Sequence, residues 1–208
     1  MTVFDYEAGN LHSLLKALDD PALGVRVRVE TDARALLRDT DLLVLPGVGA
    51  FGHAAARLAP GRTDVAAALR DGLPALGICL GLQLLCEASD EGAGDGLGVV
   101  PGRVRLLRAR RVPQIGWNRV EWTAAEGAPS ATLPQLPIAY YANSYVAAID
   151  GNDPCVLATS THETDRFAAV VRVARTVGAQ FHPEKSSAAG VAFVRAVVAD
   201  AVGAVVDA

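Results

Sequence analysis

Three features of the sequence predict a three-layer α/β fold with a largely parallel, mixed central sheet. Short apolar runs alternate with helix-spaced leucines through the first half of the chain. Several of those runs stop at glycine turns, as inner parallel strands do at their carboxyl ends. Past a loop rich in glycine and acid at residues 90–96, the pattern changes to consecutive strands with little helix between them. No long linker separates the two patterns, so the 208 residues are expected to form one domain, 1–208, with a substantial core.

Taken in order, residues 2–4 read as a first strand and 5–10 as the turn after it. Leu11, Leu14, Leu15 and Leu18 have the spacing of a helix face, with Gly9 and Asn10 at its start and Asp20-Pro21 at its end. Residues 25–29 alternate valine and arginine, which predicts a strand with one wet face. The apolar run 42–45 predicts an inner strand stopping at Pro46-Gly47-Val48-Gly49, and residues 57–72 read as helical surface. Strands are then expected within 99–107, 112–122, 138–149, 156–160 and 168–174. Five arginines between 103 and 111 read first as a charged strand edge and second as a docking patch. Ser186 and Ser187 are placed to cap a last helix whose apolar face includes Val191, Val194, Val197, Val198 and Val202.

The chemistry concentrates at Gly77-Ile78-Cys79-Leu80-Gly81-Leu82-Gln83. An apolar run, a cysteine flanked by glycines two positions away on each side, and leucines at helical spacing describe a nucleophile elbow. There a reactive side chain is pushed clear of the sheet and bulky neighbours would collide. Unpaired N–H groups at the start of the following helix would face the sulfur, and the Leu80 N–H is placed to donate to an oxyanion. The plain alternative is a small buried thiol in a glycine-rich turn. A second segment, Gln180-Phe181-His182-Pro183-Glu184, supplies a base and a carboxylate from one rigid turn. Cys79, His182 and Glu184 are together the parts of an activated-thiol site, in which the acid orients the imidazole and the imidazole takes the thiol proton. Two glycines just past the 42–45 strand could form only a turn. The sharper expectation is that Gly47, Val48 and Gly49 bring backbone N–H groups opposite Leu80 to complete an oxyanion hole. Cys86, two turns beyond Cys79, reads as core.

The cysteine and histidine motifs resemble those of the class I (triad) glutamine amidotransferases, whose domain is flavodoxin-like. Within that family, residues 5–11, Pro46-Gly47-Val48-Gly49-Ala50-Phe51, Pro113-Gln114-Ile115-Gly116-Trp117-Asn118 and 181–187 are similar to the glutaminase subunits of imidazole glycerol phosphate synthase, from histidine biosynthesis. The resemblance implies glutamine as substrate, a thioester on Cys79, and ammonia passed to a β/α barrel cyclase subunit in a heterodimer. It also implies that Gln83, Ser144 and Tyr145 contact the substrate, and that Asn10, Trp117, Tyr140 and Lys185 face the partner. Most relatives have histidine where this chain has Asn143, and Glu7-Ala8 departs from the usual turn. An amidotransferase subunit serving another acceptor, or a non-catalytic binding relative, are the alternatives.

The remaining composition excludes other classes. A net charge of −4 gives no case for nucleic acid. No apolar run is long enough to span a membrane, and no targeting leader precedes the first motif, so a cytoplasmic location is expected. Three cysteines without a Cys-x-x-Cys pair argue against a disulfide framework or structural zinc, and no cofactor or metal is expected.

Overall fold

The computed structural model describes residues 1–9, 11–123 and 133–203. Five parallel strands make up one side of an eight-stranded sheet: β1 (Thr2–Phe4), β2 (Arg28–Glu30), β3 (Leu43–Leu45), β4 (Ala75–Ile78) and β13 (Thr176–Ala179). Antiparallel β12 (Asp165–Val173), β11 (Val156–His162) and β8 (Glu121–Trp122) extend it, giving the order β2-β1-β3-β4-β13-β12-β11-β8. Alternation along the inner strands serves both faces. Val44, Leu76 and Ile78 enter one apolar cluster, while Leu43, Leu45 and Ala75 enter the other. Helices α1 (His12–Leu18) and α5 (Ser187–Val202) cover the first face. Helices α2 (Phe51–Leu58), α3 (Arg62–Arg70) and α4 (Leu80–Leu85) cover the second. These are the three layers that the strand–helix alternation predicts.

Two smaller sheets stand beside the main one. One joins β10 (Tyr145–Ala148), β6 (Arg103–Leu106) and β5 (Ala88–Ser89); the other is a ribbon of β7 (Gln114–Arg119) and β9 (Ile138–Asn143). The ribbon's register puts Ile115 opposite Ala142, Trp117 opposite Tyr140 and Arg119 opposite Ile138. Its solvent face is therefore apolar and aromatic, with Ile115 69%, Trp117 53% and Ile138 48% exposed.

Several expectations are corrected. The strand expected over 25–29 forms only at 28–30, because its partner β1 offers three residues for pairing and the first valines run past its end. The apolar residues Leu82, Leu84, Leu85, Cys86 and Ala88 read in sequence as one continuing buried helix, but α4 stops at Leu85. The carbonyls of Leu84, Leu85, Cys86 and Glu87 instead accept N–H bonds from residues 96–100, and Ala88 begins a strand. Arg105 is not a solvated edge charge: it forms a bidentate pair with the buried Asp165, both contacts at 2.7 Å. Asp165 also accepts the Arg108 N–H at 2.7 Å, which fastens the chain entering the ribbon to the β11–β12 hairpin. Finally, Ser186 precedes α5 but its side chain does not cap it. The loop at 90–96 has its own use, since Glu91 Oε2 accepts the Phe51 N–H that opens α2.

The tightest helix–sheet contact predicts a stability effect. A Cβ at Gly81 would run into the Leu45 carbonyl of β3. Gly81→Ala is expected to lower the stability by about 1–3 kcal/mol through overpacking, read as a lower urea midpoint. An unchanged midpoint would show that α4 can shift freely on the sheet.

Candidate active site

Cys79 lies between β4 and α4 with φ 46° and ψ −102°, a conformation that residues with a Cβ adopt only when their surroundings impose it. The restraints are local. The Cys79 N–H donates to the Ala179 carbonyl of β13 at 2.7 Å, and its carbonyl accepts the first helical bond, from the Gln83 N–H, at 3.1 Å. Gly77 permits the crossing, because a Cβ there would meet the Gly81 carbonyl at 2.8 Å. Leu80, as the first residue of α4, carries one of the N–H groups that no helical carbonyl can satisfy.

His182 follows β13 and is held by its own N–H, which donates to the Tyr140 carbonyl at 2.8 Å. Its Nδ1 is 2.9 Å from Glu184 Oε1, with the two side chains 4% and 7% exposed. The Cys79 side chain lies beside the ring, since one point, the position a Cβ would take at Gly47, is 2.9 Å from both Cys79 Cβ and His182 Cε1. Burial opposes a charged imidazole. The Cys79 sulfur, through charge and hydrogen bond, and then Glu184, outweigh that opposition and raise His182 from 6.5 to about 10. The sulfur, imidazole and carboxylate therefore form one buried array. Cys86 contrasts with it: burial among leucines pushes its thiol up to about 12, and its Sγ reaches the Leu82 carbonyl.

The 46–49 loop lies against this array. A Cβ at Gly47 would stand 2.9 Å from each of Cys79 Cβ, His182 Cε1 and the Ile78 carbonyl oxygen. Gly49 holds φ +98° and faces Ala8, while Val48 packs against Gly9, so the loop is wedged between the 5–9 turn and the sulfur. Gln83 is buried and donates through Nε2 to the Tyr145 carbonyl at 2.9 Å; Asn143 Nδ2 donates to the same oxygen at 3.1 Å. The Ser144 carbonyl is occupied by the Leu107 N–H. Farther out, Trp117 and Tyr140 stack edge to face at 6.2 Å on the ribbon, and Lys185 is exposed beside Glu184. Asn10 lies outside the described residues.

One side chain at the sulfur was missed by sequence reasoning. Gln180 Nε2 donates to Cys79 Sγ at 3.6 Å, and Gln180 is fully buried. The available signal was a polar residue in an otherwise apolar stretch from Val177 to Phe181. Among the described residues, no cluster of three or more His, Cys, Asp or Glu could hold a metal, and no helix is long and apolar enough to cross a membrane.

Comparison with known proteins agrees with this geometry. The family described as glutamine amidotransferase class-I matches residues 2–198. The chain is 40% identical over 198 residues to imidazole glycerol phosphate synthase subunit HisH of Gloeothece citriformis, covering 91% of this chain and 90% of that one. It is 44% identical over 195 residues to the subunit of the same name from Thermus thermophilus, covering 92% and 93%. Among solved structures, a glutamine amidotransferase crystal structure is similar with a TM-score of 0.69 at 17% identity, covering 97% of this chain and 98% of that one. The glutaminase domain of Trypanosoma brucei CTPS gives 0.68 at 17%, covering 99% and 95%. At those identities the likeness shows the fold.

The array predicts a titration. In the intact protein the His182 imidazole is expected to stay protonated until about pH 10, followed by NMR of the ring. Cys79→Ala should lower this value most and Glu184→Gln less, since the sulfur is the larger of the two raising influences. Because the folded value lies above the unfolded 6.5, the stability His182 contributes is complete below 6.5 and is lost as pH rises through about 10. A ring that titrates near 6.5 in all three proteins would contradict the array.

Proposed function

The chain belongs to the class I glutamine amidotransferases, and on that premise we propose that it is the glutaminase subunit of imidazole glycerol phosphate synthase in histidine biosynthesis. The observation that carries the reading is the buried Cys79–His182–Glu184 array, in a chain 40% and 44% identical across most of its length to subunits of that name. The single domain 1–208 hydrolyses glutamine to glutamate and ammonia and requires no cofactor.

The geometry supports the following mechanism. His182 takes the proton of Cys79, and the sulfur attacks the side-chain carboxamide carbon of glutamine, moving the carbonyl electron pair onto oxygen. The Leu80 N–H and the backbone of Gly47, Val48 and Gly49 hold that oxyanion. Collapse breaks the C–N bond, and the His182 proton goes to the departing nitrogen, which leaves as ammonia. Water, activated by the now neutral imidazole, cleaves the γ-glutamyl thioester and restores the thiol. Glu184 fixes the ring orientation through Nδ1 and stabilises its charged form. Gln83, Ser144 and Tyr145 line the end of the site that receives the amino-acid head of the substrate.

Ammonia released into water near neutral pH is mostly ammonium, which is not nucleophilic, so delivery to a second site is chemically useful. The partner is a β/α barrel cyclase, bound in a heterodimer over the ribbon. Trp117 and Tyr140 present an amphipathic aromatic pair there, the residue class enriched where interfaces are anchored. Asn10 and the exposed Lys185 complete the docking side. The proposed location is the cytoplasm.

Cys79→Ala is expected to abolish glutamine-dependent synthesis by the assembled pair while synthesis from added ammonium salts continues. Loss of both together would contradict the division of labour. Gly47→Ala, whose new methyl group presses on Cys79, His182 and the Ile78 carbonyl, is expected to cut glutamine turnover by about 100-fold, the scale of an ångström of misplacement at a reacting centre. Steady-state glutamate release by that variant checks the loop's assignment, and wild-type turnover would remove it.

A further inference from the structure

The His182 turn is secured to the docking ribbon by a closed ring of three hydrogen bonds, and one side chain completes it. The His182 N–H donates to the Tyr140 carbonyl at 2.8 Å, and the Tyr140 N–H donates to Ser186 Oγ at 2.9 Å. Ser186 Oγ in turn donates to the His182 carbonyl at 2.7 Å. Ser186 is fully buried, and its hydroxyl is spent on this ring rather than on the helix that follows. On the opposite side the turn is pressed by α5, where a Cβ at Gly190 would run into the Pro183 carbonyl and stand 2.6 Å from Ser186 Cβ. The segment carrying both His182 and Glu184 is thus clamped between a helix and the ribbon, and the hydroxyl is half of the ribbon-side grip.

We propose that Ser186 is a positioning residue that locks the imidazole-bearing turn to the ribbon, so that the seating of the ribbon against its partner is transmitted to His182. Tyr140 makes the connection direct. Its side chain lies on the ribbon's outer face against Trp117, while its N–H and carbonyl both belong to the ring. Any displacement of Tyr140 normal to the ribbon moves His182 through two bonds at once. Without the hydroxyl, the Tyr140 N–H loses its acceptor and one main-chain bond is left between the turn and the ribbon. The transmission part of the proposal rests on the ribbon being the docking face under the proposed function; the positioning part does not.

The test compares wild type and Ser186→Ala, each alone and assembled with the barrel cyclase. Glutamate release is measured over a range of glutamine concentrations, and docking is measured by co-elution of the pair on size exclusion. The expected result is a fall in kcat of about tenfold or more, the size of effect that small misplacements at a reacting centre produce. KM for glutamine should stay within about twofold, and the variant should still co-elute with the cyclase, which shows that it folds and docks. Wild-type kcat in Ser186→Ala, or a rise in KM at constant kcat, would overturn the proposal. Loss of co-elution would also overturn it, because the hydroxyl would then be holding the fold or the complex rather than His182. If the wild-type chain itself does not co-elute with the cyclase, the partner assignment fails instead. Glutamate release by the two isolated chains still decides the role of Ser186.

Discussion

The constraint on which the site depends is the backbone at Cys79. A residue with a Cβ held at φ 46° must be compelled, and here the compulsion comes from both neighbours in the fold. Strand β13 fixes the Cys79 N–H through Ala179, and helix α4 claims its carbonyl through Gln83. The parallel pairing of β4 with β13 does the rest. Their register sets Ala179 opposite Ile78, so the residues that follow, Gln180 and Cys79, come off the sheet side by side. His182 arrives at the same rim two residues later. A sulfur and an imidazole from distant parts of the chain meet because two adjacent strands end together.

Electrostatics then depends on this meeting being dry. Burial alone would lower the His182 pKa, and the value of about 10 exists only because Cys79 and Glu184 both act on the ring. The same desolvation acts without compensation on Cys86, whose thiol is raised to about 12. The Gly47 backbone closes the array from above, near enough that no side chain could be accommodated there.

Much of this was legible in the sequence, for physical reasons that can be named. The glycines at 77 and 81 mark an elbow because only a missing Cβ allows the strand–helix crossing. The apolar runs at 42–45 and 75–78 announce buried strands because their side chains must serve two cores. What stayed hidden depends on tertiary partners. The length of β2 is set by β1, the end of α4 by residues 96–100, and the fate of Arg105 by Asp165, sixty residues away. Ser186 misled for the same reason: a serine before a helix is a good cap until a ribbon offers its hydroxyl a better pair of partners. Gln180 looked like part of a strand until Cys79 was placed next to it.

The claim that orders all of this is that glutamine is opened by the sulfur of Cys79. The most direct measurement is acid quenching of the enzyme during turnover with isotope-labelled glutamine, followed by peptide mapping by mass spectrometry. The account predicts a labelled γ-glutamyl thioester on the peptide containing Cys79 and on no other cysteine peptide. Label on Cys86 or Cys155, or steady glutamate release with no covalent label at all, would contradict it.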